Sequence, residues 1–328
     1  MPTITKSQSV PVTVDNFVRA ETDKIFASFY PEGFGKFLHF REFPPIDFQP
    51  VQRGNRDTLY SIAIFDFDAG PVTISLPDAG KRFMTMLVID QDHYVFTVMH
   101  GSGTRTLTRQ EIGTRYGFVC IRILVDPNDP KDVAQVHSLQ DSVNVSQSNP
   151  GSFVIPNWDE VSRKKIRDAL TMLGSTLADW RHAAGHRGRV DLIRHLIVSA
   201  TGWGLNPDRE AIYLNVVPSK NDGTTIYMLR VKDVPVDAFW SVSVYNAAGY
   251  FVENASDAYT LNNVTAKKDP DGSVTVQFGG CHRQAINCLP IMKGWNYTVR
   301  LYRPRTEILN GSWQFPDAQP VEAIKTAA

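Results

Sequence analysis

Gln52-Arg53-Gly54-Asn55-Arg56-Asp57-Thr58-Leu59-Tyr60-Ser61-Ile62-Ala63-Ile64-Phe65-Asp66-Phe67 sets six hydrogen-bonding side chains directly against a run of strand-forming residues. The run from Thr58 onward, rich in β-branched and aromatic residues, reads as a core strand. Polar groups at the entrance of such a strand must be satisfied on burial, by one another or by a ligand. Two chemistries are open. In the first, Asp57 is a general base with its pKa lowered by a neighbouring arginine, Tyr60 donates a proton, and Arg53, Asn55 and Thr58 hold an anionic or hydroxylated substrate. In the second, the cluster is a buried network that fixes strand register.

Downstream, Asp-Ala-Gly turns at 68–70 and 78–80 punctuate strands expected over 71–76, 82–89, 93–99 and 117–125. Short spacing without intervening helices argues for antiparallel pairing. Asp90, Asp92, His93 and Tyr94 form a second polar patch at a strand end. If that hairpin returns beside Asp57, carboxylates and an imidazole converge on one cleft; an Asp-rich turn is the plainer alternative. Upstream, Val14, Phe17, Val18, Ile25 and Phe29 recur at helical spacing after Thr13, read as the N-cap, with Pro31 as the stop. The aromatic arm over 34–48, with Pro44 and Pro45, suits a cover for a sheet edge.

A polar connector between Asp126 and Pro156 marks a domain boundary. Asn157 and Glu160 read as an N-cap with a reciprocating Glu, and Ile166, Leu170, Leu173, Leu177 and Trp180 continue a helix. A second helix over 190–200 makes a hairpin between two sheet regions. Beyond Pro207 the period-two pattern returns around Trp240, Val242 and Val244, then Val274, Val276 and Phe278, then Trp295, Tyr297 and Val299. The expected fold is mainly β with α: two antiparallel sandwich or jelly-roll-like domains (1–150 and 207–328) joined by helices (151–206).

Asn55-Arg56-Asp57-Thr58-Leu59-Tyr60-Ser61 resembles the signature of a bacterial family known as domain of unknown function 1254. Phe239-Trp240-Ser241-Val242-Ser243-Val244-Tyr245, Asp271-Gly272-Ser273, Asn287-Cys288-Leu289-Pro290, Arg300-Leu301-Tyr302 and Gly311-Ser312-Trp313 are similar to domain of unknown function 1214, which commonly follows it. The resemblance implies a bipartite, strand-rich protein, here with Cys288 where a Trp commonly sits.

Thirty-four basic against thirty-four acidic residues give no general field for nucleic acid or an anionic membrane. With no apolar h-region and no spanning stretch, the chain reads as cytoplasmic, with no membrane partner. Three cysteines are too few for a disulfide framework, so reduced thiols are expected. His182 and His186 lack the Glu of a zincin motif, and Cys281, His282 and Cys288 lack a second pair of ligands, so neither a metal nor a cofactor is expected. No Gly-x-Ser-x-Gly occurs. Trp203, between Gly202 and Gly204, is the tryptophan expected to be exposed for ligand stacking. The leading expectation is a cofactor-independent hydrolase or lyase using Asp57, Tyr60, Asp90, His93 and Tyr94, with Arg53, Asn55, Thr58 and Trp203 binding substrate. The rival is a non-catalytic protein that binds a small ligand or carbohydrate, and a homo-oligomer is expected in either case.

Overall fold

The computed structural model describes residues 9–49, 51–282 and 285–321. Its N-terminal region contains α1 (Phe17–Gly33), β1 (Leu38–His39), β2 (Thr58–Asp66), β3 (Val72–Leu76), β4 (Met84–Asp90), β5 (Val95–His100), β6 (Gly103–Leu107), α2 (Arg109–Ile112), β7 (Tyr116–Leu124), α3 (Pro130–Asp141) and β8 (Asn144–Ser146). Two helices follow, α4 (Glu160–Gly174) and α5 (Leu192–Thr201). The C-terminal region holds β9 (Ala211–Val216), β10 (Tyr227–Val231), β11 (Trp240–Tyr245), β12 (Thr260–Asn262), β13 (Val274–Phe278), β14 (Cys288–Leu289), β15 (Asn296–Tyr302), α6 (Thr306–Leu309) and β16 (Gln319–Pro320). The protein is mainly β with α, and every strand pairing but that of β13 with β14 is antiparallel among the described residues.

A five-stranded sheet, β1-β2-β7-β4-β5, is buried on both faces. Alternation along β7 sends Val119, Ile121 and Ile123 to one side, where they meet Val72, Ile74 and Leu107 of the small β6-β3-β8 sheet. Tyr116, Phe118 and Cys120 face α1, whose Phe26 stacks on Phe118 at 5.7 Å. Glu21 of α1 ion-pairs with Arg163 and Arg167, which ties α4 to that helix. Toward the C-terminus, the β14-β13-β10-β16 and β12-β11-β15-β9 sheets share one apolar core, with Val242, Val299 and Tyr297 facing Val276, Leu229 and Phe278.

Several local expectations change. Asn16 precedes α1, and its side chain accepts from the Thr13 amide, so Thr13 is not the cap; the helix also runs through Pro31 to Gly33. Asp159, not Asn157, caps α4 by accepting from the Ser162 amide, and the helix stops before Leu177 and Trp180. The stretch read as a bare connector contains α3 and β8. Pro130 sits at the start of α3, where a missing N–H costs nothing, and Asp129 accepts from the Lys131 amide. Val136 then enters the core and β8 pairs with β3, so this stretch completes the N-terminal region instead of merely leaving it.

The thiol expectation is corrected too: Cys281 and Cys288 form a disulfide, with their Cα atoms 5.6 Å apart. Gly279 and Gly280, both at positive φ, turn the chain back after β13 while β14 aligns Cys288 opposite Gln277. Cysteine counting carries no information about such a turn. Cys120 is free and buried. A loop of seven residues' separation restricts the unfolded chain modestly, so Cys281→Ser/Cys288→Ser is expected to cost about 2–3 kcal/mol. Denaturant titration of the wild type with and without reductant checks this; coincident curves would refute it.

Candidate functional site

A cavity of about 170 Å³ opens on the α1 face of the five-stranded sheet. Its floor is made by Tyr60 and Ile62 of β2, Ile89 of β4, and Phe118, Cys120 and Arg122 of β7. Ile25 and Phe29 of α1 form one wall, and Trp203 and Gly204 another. The arm supplies Phe40, Pro44, Pro45 and Phe48 as a roof, and Phe251 reaches in from the C-terminal region. The arm covers the β2 edge through β1, as expected, and its later residues also roof the cavity.

Polar groups in this lining are few. Asn55 Nδ2 donates to Thr58 Oγ1 and to Tyr60 Oη, both at 3.0 Å, while Asn55 Oδ1 accepts from the Asp57 amide. The Arg56 guanidinium lies 5.1 Å from both the Phe43 and Tyr259 ring centres and donates to the Pro44 carbonyl. Arg122 is 7% exposed and lies over the Tyr60 ring at 5.4 Å. Its Nη2 donates to the Gly204 carbonyl at 2.9 Å, and its Nη1 is buried without a partner. Burial pushes the Cys120 thiol up against the opposing pull of Arg122, which keeps it neutral.

Trp203, expected to be exposed, is half-buried. It meets Phe26 and Phe118 edge-on and donates its indole N–H to Thr22.

Asp57 and Arg53 lie outside this lining, between the N-terminal and C-terminal regions. Asp57, 0% exposed, accepts from Thr260 at 3.2 Å and from Asn262 at 3.1 Å through Oδ1. Its Oδ2 has no partner at hydrogen-bond distance, although the Ser241 hydroxyl beside it favours the charged form. The expected lowering of its pKa is reversed: burial raises it, outweighing the attraction of Arg300. Arg53 reaches the other way, donating to Asn296 at 2.7 Å and Thr298 at 2.9 Å.

The anticipated convergence of Asp57 with Asp90, His93 and Tyr94 does not occur. Both β2 and β4 run antiparallel to β7, and Thr58 pairs with Leu124 while Asp90 pairs with Gly117, so the two patches stand at opposite ends of the sheet. Asp90 accepts from the amides of Asp92 and Tyr94 and from Arg187. Tyr94 stacks on His195 at 4.4 Å. His93, at φ 63°, lies between His195 and Trp203, and its Nε2 accepts from the Gly204 amide at 2.9 Å. That bond puts the ring proton on Nδ1, which has no partner. His182 pairs with Asp208, and no group of three or more metal-capable side chains occurs among the described residues.

Residues 34–112 match the family described as Protein of unknown function (DUF1254), and residues 215–306 match Protein of unknown function (DUF1214). The chain belongs to this tandem family. A crystal structure of a Vibrio parahaemolyticus protein is similar at 19% identity, covering 94% of this chain and 98% of that one with a TM-score of 0.67. An uncharacterised Burkholderia cenocepacia protein is similar at 12% identity, over 93% of this chain and 86% of that one, with a TM-score of 0.55. These likenesses show the fold alone. No curated protein matches the chain. In this DUF1254–DUF1214 chain the family signature Asn55–Ser61 delivers Asn55, Arg56 and Tyr60 to the cavity, while β7, with Cys120 and Arg122, falls between the two matched segments.

Two outcomes follow from this geometry. Asp57→Ala removes the acceptor of Thr260 and Asn262 and the carboxylate near Arg300, and is expected to cost about 3–5 kcal/mol by chemical denaturation. Asp57→Asn should cost less, because an amide oxygen still accepts; full stability of the alanine variant would refute the bracing role. The second concerns His93, whose pKa burial and His195 hold well below 6.5. The unfolded chain then binds the extra proton first, so this stabilisation is complete above 6.5 and is lost as pH falls toward the folded-state value. His93→Gln should flatten that stretch of the stability–pH curve; an unchanged curve would remove His93 as its source.

Proposed function

We propose that this protein binds a small, mainly apolar molecule in the cavity between α1, the five-stranded sheet and the arm. The observation that carries the reading is the lining itself: Phe29, Phe40, Phe48, Phe118, Trp203 and Phe251 surround about 170 Å³ of open space, room for a small ligand. Binding is favoured over hydrolysis or lyase chemistry because the described lining holds no carboxylate or imidazole, and its thiol is kept neutral by burial. Asp57, next in sequence to the lining residue Arg56, accepts from Thr260 and Asn262 instead.

No described helix is long and apolar enough to cross a membrane. The Cys281–Cys288 bond supports an oxidising compartment over the cytoplasm expected from sequence.

The neutral fluorophore N-phenyl-1-naphthylamine reports apolar sites by its rise in emission. Uptake of one molecule per chain is expected, weakened about tenfold or more by Cys120→Phe, which fills the floor. Circular dichroism of the variant confirms that its fold is kept. A wild type that takes up no probe would overturn the reading.

A further inference from the structure

Resting on the cavity as a ligand site, the geometry points to the class of its ligand: we infer that it takes an amphipath with a single carboxylate head, held by Arg122 and Tyr60, and an apolar body against the aromatic walls.

A comparison within the protein carries the argument. Arg300 is buried like Arg122 and also has no carboxylate at ion-pair distance among the described residues, but its guanidinium donates to Ser243 Oγ, Tyr245 Oη and the carbonyls of Arg53 and Gly54. Four acceptors, with the Asp57 carboxylate close enough to attract it, satisfy that buried guanidinium. Arg122 has one such bond, to Gly204, and its Nη1 is left unpaired on a strand whose neighbouring side chains line the cavity. The residues opposite it in the sheet are Tyr60 and Thr85, neither of them acidic. Leaving a desolvated cation so poorly paired is unfavourable, and an anion delivered from outside removes that cost.

The local donors suit a carboxylate. Tyr60 Oη accepts from Asn55, which leaves its own proton to donate, and the Arg122 guanidinium lies over the same ring. Two donors, one of them charged, match the two oxygens of one carboxylate. A doubly charged phosphate would leave lone pairs unsatisfied against Ile62, Ile89 and Phe118.

The test is displacement of N-phenyl-1-naphthylamine from the wild-type protein by decanoate and by 1-decanol, which share a chain and differ in the head. Decanoate should displace the probe at a concentration about tenfold or more below that of decanol. In Arg122→Gln the two competitors should come within about twofold of each other, whatever its own affinity for the probe, while Arg122→Lys should retain some of the preference. Equal displacement by both from the wild type, with the probe bound, overturns the carboxylate assignment and leaves the cavity reading standing. No probe uptake overturns both. If Arg122→Gln does not fold, the wild-type pair of competitors still decides.

Discussion

The outer face of the sheet formed by β9, β11, β12 and β15 is polar and buried, and the arrangement of the whole chain depends on how that face is satisfied. Ser241, Ser243, Asn262, Asn296, Thr298 and Arg300 are all withdrawn from solvent there. A sandwich standing alone would present this face to water; docked, every group needs a partner. While Arg300 itself serves Ser243, the segment from Arg53 to Asp57 supplies partners to Asn262, Asn296, Thr298 and Arg300. Its guanidinium donates to Asn296 and Thr298, its carbonyls at Arg53 and Gly54 accept from Arg300, and the Asp57 carboxylate accepts from Thr260 and Asn262. Tyr245 adds a bond to the Gly54 carbonyl at 2.7 Å.

Pinning that segment fixes what lies beside it. Arg53 adopts φ 52°, a left-handed conformation uncommon outside glycine, and the Gly249 carbonyl accepts its amide at 2.8 Å. Asn55 and Arg56 line the cavity while Arg53 and Asp57 reach the C-terminal sheet. The structural and the ligand-binding readings of one sequence motif are thus divided among its residues. Neither reading describes all of them.

Layering was legible because it rests on periodicities of two and 3.6, which local sequence carries. The alternation through Trp240, Val242 and Val244 and through Trp295, Tyr297 and Val299 becomes the core of the sandwich. What was not legible depends on register and on long-range contact. Asp90 and Asp57 look alike as strand-end carboxylates, and only the pairing of β2 and β4 with β7 places them at opposite ends. Cys281 and Cys288 meet through a parallel pairing that no local pattern announces. Arg122 did leave a signal: it is the one charged residue in Phe118-Val119-Cys120-Ile121-Arg122-Ile123-Leu124-Val125. In a strand buried on both faces, such a residue requires a named partner.

The cavity is built from both halves of the chain, and this links occupancy to domain docking. Phe251 enters from the C-terminal region, Trp203 and Gly204 from the segment after α5, and the roof is continuous with the segment anchored on the polar sheet. A ligand touching all three surfaces binds only the docked arrangement, so its binding free energy adds to the stability of that arrangement. The converse also holds. On the proposed ligand-binding reading, loosening the Arg53–Asp57 anchor would lower affinity by depopulating the docked arrangement, without altering a single cavity side chain. Gly204 is the tightest point of this coupling: its amide is held by His93 and its carbonyl by Arg122, so one residue's backbone joins the β4–β5 turn to the cavity floor.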